Sequence, residues 1–237
     1  MANVNFGTAN AQKIVNLWNA DQALADEGSY YVAAREYGSP IAITASVADD
    51  LNTASATHAT FAPAMSIFNQ ENPNNPNAKS IYPRYLKLTT TTVQGGPATD
   101  WNYALRLDNG NKYASGGTAL TPQNVNPMSS NSSVAKIYFG ACVATAAPTS
   151  AARLVSLGNI ATAVSVVMDT YLFHFGDVNT KMDQLKAAAA AKNISIHVPP
   201  VVLAPGWTLQ LEMWGTSYTT AAQYVVEFAY AERISGL

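Results

Sequence analysis

Trp207-Thr-Leu-Gln-Leu-Glu-Met213 and Tyr224-Val-Val-Glu-Phe-Ala-Tyr230 decide the fold class. In the first stretch Trp207, Leu209, Leu211 and Met213 alternate with Thr208, Gln210 and Glu212. In the second Tyr224, Val226, Phe228 and Tyr230 alternate with Val225, Glu227 and Ala229. A period of two is that of a strand with one face buried. The small polar run Gly215 to Thr220 separates them. Upstream, Ile194, Ile196 and Val198 alternate with Ser195 and His197, before Pro199-Pro200-Val-Val-Leu-Ala-Pro205-Gly206 turns the chain. The expectation is a mainly β protein, an antiparallel β-sandwich or jelly roll. The same alternation places Trp214 on the face opposite Trp207, immediately before Gly215.

Working outward, β signals recur at Tyr30 to Glu36, Pro40 to Ala45, His58 to Phe68, Ile81 to Val93, Trp101 to Leu107, Ala135 to Val143 and Val164 to Phe175. Pro63 argues for an edge or a bulge in the third of these. Asp108-Asn-Gly-Asn111 has hairpin turn chemistry, and Arg153 to Ile160 is open between strand and short helix. Glu71-Asn-Pro-Asn-Asn-Pro-Asn-Ala-Lys79 and Ser115 to Ser133 read as exposed polar excursions, because Asn, Pro and Gly favour turns. Two helices are predicted. Ile14, Leu17, Trp18 and Leu24 fall near helical spacing between Asn10 and Ala25, with Gly28 as the stop. Asn179 to Asn193 has a capping Asn or Thr and an alanine run, and is expected as one inserted surface helix. The chain thus divides into an N-terminal helical arm, 1–28, and a sandwich body, 29–237.

Charged residues make up 12% of the chain and the net charge is −2, against about 25% charge in an average soluble domain. So sparse a charged surface suits a protein partly covered by other copies or partners. The 13 Lys and Arg are scattered, which argues against direct nucleic-acid binding. The single cysteine, Cys142, lies in a mostly apolar run and reads as a buried inert thiol. The N-terminus lacks the basic and apolar regions of a secretory leader, and no apolar run reaches the roughly 20 residues of a membrane span. Synthesis in a cytoplasm, without a membrane partner, is expected.

A search for chemistry returns turns and solvated charges. His58, His174 and His197 have no ligand spacing, and Gly95-Gly96 and Gly116-Gly117 precede no phosphate-binding helix. No Gly-x-Ser-x-Gly elbow occurs. Asp26-Glu27 and Asp49-Asp50 fall in no calcium-loop spacing. A non-enzymatic protein with no metal and no cofactor is expected.

Tyr30-Tyr-Val-Ala-Ala-Arg35, Phe61 to Asn69, Tyr85-Leu-Lys-Leu-Thr89, Asp108 with Lys112-Tyr-Ala-Ser-Gly-Gly-Thr118, Ile137-Tyr-Phe-Gly140 and Pro199-Pro-Val-Val-Leu-Ala-Pro-Gly-Trp207 occur in that order. In this pattern the chain resembles virion proteins of tailed bacteriophages, and more narrowly head cement or decoration proteins. The resemblance implies a jelly-roll-like dimer or trimer on the outside of a phage head, clamping copies of the major capsid protein. It carries no catalytic residues. Candidate interface residues follow from the chain's own pattern: Ile14, Leu17 and Trp18 on the arm, Asn74 and Asn75 in the Asn/Pro excursion, and Trp214 as an aromatic anchor. Rival readings are a carbohydrate- or receptor-binding module of a fibre or tail, a glycosidase with a facing carboxylate pair, and a jelly-roll capsid protein.

Overall fold

The computed structural model describes residues 20–43, 63–93, 101–145, 149–161, 167–176, 193–215 and 221–234. In chain order they form α1 (Ala20–Asp26), β1 (Tyr30–Ala34), β2 (Ile41–Ala42), β3 (Met65–Asn69), β4 (Lys79–Thr92), β5 (Trp101–Asn109), β6 (Tyr113–Leu120), β7 (Gln123–Asn124), β8 (Ala135–Ala144), β9 (Arg153–Ala161), β10 (Thr170–Phe175), β11 (Asn193–Val198), β12 (Trp207–Gly215) and β13 (Gln223–Ile234). Sheet A runs β11-β10-β4-β13-β1-β7, with β2 also on β13. Sheet B runs β6-β8-β3-β12-β5-β9. The two face each other across one hydrophobic core, as a β-sandwich.

Each sheet turns the alternating apolar residues of its strands inward. Sheet A contributes mostly rings: Tyr31, Tyr171, Phe173, Tyr224, Phe228 and Tyr230 are all buried. Sheet B contributes mostly aliphatic chains, including Met65, Ile67, Leu105, Ile137, Leu209 and Leu211. Each such large side chain stabilises the fold by about 1.5–3 kcal/mol relative to exposure. Rings on one sheet stack along it, as Tyr31 and Phe228 do on Tyr230 (5.7 and 5.1 Å). Tyr103 of sheet B meets Phe173 of sheet A edge-on at 5.2 Å and joins the layers.

Two backbone devices let the strands fit. The β4–β13 register slips between Ala229 and Tyr230, where Pro83 pairs with Tyr230 and Arg84 is left over as a bulge. Proline has no N–H for a ladder, so a bulge is where a long central strand tolerates it. At Gly140, where φ is 113°, a Cβ would lie 2.6 Å from Ile41 Cγ2 and 3.0 Å from the Ala42 carbonyl oxygen. That glycine lets β8 of one sheet approach β2 of the other.

Several expectations change. Ser115 to Ser133 is not one excursion, since β6 and β7 occupy much of it. Asp108 to Asn111 makes a turn but no hairpin: β5 pairs with β12 and β9, whereas β6 pairs with β8 at the far edge of the sheet. Arg153 to Ile160 is strand β9. The strand expected at Val164 to Phe175 begins at Thr170, after a turn at Val167 and Met168, and 164–166 lie outside the described residues. The three closing strands do not pair with one another. β11 is an edge of sheet A, parallel to β10, so the sandwich is not wholly antiparallel. The expected helix at 179–193 lies outside the described residues except for Asn193, which is strand.

Candidate interaction surface

Three of the connections that cross between the sheets gather at one pole of the sandwich. β3 ends there and the chain crosses to β4 through 70–78. β7 leads to β8 through 125–134, and β11 to β12 through 199–206. The end of α1 joins them, because β1 starts opposite Ala231. Asn69 ties two of these connections together. Its Nδ2 donates to the Lys79 and Leu203 carbonyls (2.8 and 3.1 Å), and its Oδ1 accepts from the Glu71 amide (3.1 Å).

The 70–78 connection is built on a three-residue repeat, Asn72-Pro73-Asn74 followed by Asn75-Pro76-Asn77. The Asn72 side chain accepts from the Asn74 amide (2.9 Å) and its carbonyl from the Asn75 amide (3.0 Å). Asn75 repeats the arrangement with Asn77 and Ala78, both at 3.0 Å. Proline sets φ for the second position of each turn and asparagine supplies the local acceptor. The result is a double turn with a fixed shape, and all six side chains are exposed.

The 125–134 connection is clasped to the helix. Helices leave their last carbonyls without intrahelical donors. Here Asn126 Nδ2 donates to the Asp26 carbonyl (3.2 Å), Asn131 Nδ2 to Glu27 and Gly28 (3.4 and 3.1 Å), and Asn124 Nδ2 to Gly28 (2.9 Å). Gly28 takes φ 68°, and a Cβ there would lie 2.1 Å from Ser129 Oγ. It is the helix stop foreseen from sequence, and it also admits the loop. Leu24 is buried, so this described end of the expected arm packs on its own body. The tip of the clasped loop points Met128 outward, 90% exposed, beside the exposed Val125 and Pro127.

Two buried carboxylates lock this pole. Glu232 accepts from the Ser133 hydroxyl (2.6 Å) and the Val134 amide (2.9 Å), with Lys79 Nζ at 3.8 Å. The Tyr230 hydroxyl donates in turn to Ser133 Oγ (2.6 Å). Burial raises the Glu232 carboxyl above its usual range, against the opposing pull of those donors. Burial, then the Glu232 charge, pushes the Tyr31 hydroxyl up to about 12. On the sheet B side Asp108 accepts from the Thr149 hydroxyl and amide (amide 2.9 Å), the Asn109 amide (2.7 Å) and Lys112 Nζ (3.2 Å). Burial pushes that carboxyl up, but the Thr149, Lys112 and Asn109 donors outweigh it and hold it below the usual range. Both acids are occupied in fixing loops.

Of the residues singled out from sequence, Asn74 and Asn75 stand exposed on this pole. Ile14, Leu17 and Trp18 lie outside the described residues. Trp214 requires correction: it pairs with Asn102 at the other end of β12 and is only 2% exposed, so within this chain it is not a free anchor. It does project from the outer face of sheet B, but there its neighbours Asn102, Ala104 and Glu212 are buried with it. Sequence reasoning passed over Met128, whose only signal was an apolar residue in a polar run. It also missed that His174 and His197 become neighbours. They are paired across β10 and β11, with rings 6.4 Å apart, a proximity that spacing along the chain cannot reveal. Cys142 is buried and its thiol is pushed up to about 12 by burial.

Among the described residues no group of three or more His, Cys, Asp or Glu is placed to hold a metal ion, and no helix is long and apolar enough to cross a membrane. Comparison with known families, curated proteins and solved structures finds no match.

Proposed function

We propose that the chain is a structural virion component of the cement or decoration kind, with a jelly-roll-like body that self-associates and binds a phage capsid from outside through its loop pole. The observation that carries this reading is Met128. A large apolar side chain is held 90% exposed on a loop clasped by three asparagines to the end of α1. Such a residue gains by burial only in an assembly, and a loop already ordered loses little conformational freedom on docking. The exposed double turn at Asn74 and Asn75 presents a second fixed contact from the same pole. Copies repeated around a shell would add such contacts through avidity, and contacts made only in the assembled lattice stabilise that state.

The test is co-sedimentation of the full chain with capsids of the phage that encodes it. Met128→Asp is expected to weaken capsid binding at least ten-fold while leaving the melting temperature of the free protein within about 1 °C, as expected for a fully exposed site. Wild-type protein that fails to bind capsids, or a variant that binds as tightly as wild type, overturns the assignment.

A further inference from the structure

The outer face of sheet A carries a second surface, away from Met128. Cross-strand register places Lys87 of β4, Glu227 of β13 and Ala34 of β1 in one row, with Tyr85, Ala229, Val32 and the β7 residue Gln123 in the next. Rows step from strand to strand by about 4.8 Å. The Tyr85 hydroxyl donates to Glu227 Oε1 (2.5 Å), while Glu227 Oε2 lies 3.8 Å from Lys87 Nζ. Lys87 and Glu227 remain 45% and 34% exposed. At the β1 end the face opens into a cavity of about 270 Å³ lined by Val32, Ala34, Arg35, Leu120, Thr121 and Gln123.

The face is bounded at both ends. The Arg84 bulge turns that side chain toward Asp21 of α1 (3.2 Å). Toward the other pole, the Tyr37 hydroxyl reaches Met168 Sδ (2.9 Å) from the turn that precedes β10. Between these limits the surface offers a floor of small side chains on β1 and β13, the Tyr85 ring with His174 of β10 opposite it in the register, and a carboxylate set beside an ammonium group. Arg35 spends its Nε on the Ser39 carbonyl (3.2 Å), and its fork retains further N–H donors suited to a carboxylate.

We propose that this face binds a short oligosaccharide carrying a carboxylate, with the acid at Arg35 in the cavity and the sugar rings over Val32, Ala34 and Tyr85. A pyranose has an apolar C–H face, which fits small side chains and an aromatic ring, and a rim of neighbouring hydroxyls that are both donors and acceptors. Glu227 accepts from such hydroxyls, and Lys87 and Gln123 donate to them. A purely apolar ligand would strip the exposed parts of Glu227, Lys87 and Gln123 of their hydrogen bonds to water without replacing them. A simple anion would leave the floor and the ring unused. The site stands apart from the loop pole, so its success or failure does not bear on capsid binding.

Titration of the full chain with tri-galacturonic acid, followed by calorimetry and backbone amide shifts, tests the proposal. Saturable binding in the range of about 0.1–1 mM is expected, with shifts confined to β1, β4, β13 and the 121–123 segment. Arg35→Ala, at an exposed position, should weaken binding about ten-fold. Tyr85→Ala should do the same, with Tyr85→Phe retaining most of the affinity. Neutral maltotriose should bind at least ten-fold more weakly. Failure to saturate, affinity unchanged in Arg35→Ala, maltotriose equal to the acid sugar, or tri-glutamate binding as well as tri-galacturonate would each overturn it.

Discussion

Sheet A and sheet B carry the same alternation in sequence, yet their outer faces have opposite fates. On sheet A the outward residues Tyr85, Lys87, Thr89 and Glu227 are only partly covered. On sheet B the outward residues of the central strands, Ser66, Ala104, Thr208, Gln210, Glu212 and Trp214, are all buried, and only toward its flanks, at Lys136 of β8 and Leu154 of β9, does that face open to solvent. Strand periodicity reports which way a side chain points relative to the core between the sheets. It does not report whether water lies on the other side. An outward Lys or Glu on sheet A is therefore a surface group, whereas an outward Glu on sheet B is a buried charge that needs a partner.

The largest effects should separate the faces. Trp214→Ala removes a ring enclosed on sheet B and should cost about 3–5 kcal/mol, typical of truncating a buried aromatic residue. Denaturant unfolding gives the value directly. A loss below about 1 kcal/mol would mean that the ring is not packed within the chain and would restore it as a surface group. Next comes a matched pair of charge deletions. Arg106 Nε lies 3.0 Å from Glu212 Oε2, with side chains only 15% and 2% exposed. Lys87 and Glu227 are the counterpart on sheet A. Arg106→Ala removes the guanidinium from beside a buried carboxylate and should cost about 3 kcal/mol. Lys87→Ala breaks an exposed pair and should cost less than about 1 kcal/mol. Equal losses in urea melts would remove the distinction between the faces.

The same distinction separates what was legible in the sequence from what was not. Trp207 to Met213 and Tyr224 to Tyr230 announced their strands because one face of each meets the core, and that is a local, period-two property. Gly28 was legible as a helix stop for an equally local reason. Trp214 misled because its burial depends on what lies over sheet B, which alternation along β12 does not encode. Asp108-Asn-Gly-Asn111 misled because turn chemistry is local whereas strand pairing is not: Thr208 Oγ1 donates to the Gly110 carbonyl (2.6 Å) and accepts from the Lys112 amide (3.1 Å), so the turn is fastened to β12 rather than closing a hairpin. The Asn-Pro repeat at 72–77 was legible as irregular, but its order rests on repeated bonds from backbone amides to the Asn72 and Asn75 side chains, which composition does not display. The polar face of sheet A was split among β1, β4, β7 and β13, and only cross-strand register brings Tyr85, Lys87 and Glu227 onto one surface, with Arg35 following the end of β1 at the cavity beside it.

The finest distinction is a pH signature carried by Asp108, which belongs to the buried outer face of sheet B through its pairing with Thr208. Its carboxyl titrates below the unfolded value of 3.8 because the Thr149, Lys112 and Asn109 donors outweigh the burial that would raise it. A depressed folded pKa means that the unfolded chain binds the proton first as pH falls. The contribution is therefore present above about pH 4 and is lost as pH drops through the folded value. Glu232 acts with the opposite sign. Its carboxyl is raised above 4.5 by burial, so its contribution is present below 4.5 and is lost as pH rises through the folded value. Asp108→Asn should lower stability at neutral pH by about 1.5–3 kcal/mol, the range for hydrogen bonds to a charged group. It should also flatten the fall in melting temperature below pH 4, and Glu232→Gln should leave that acid limb in place. If the acid limb is as steep in Asp108→Asn as in the wild type, the buried face of sheet B is not the source of acid sensitivity, and exposed carboxylates become its origin.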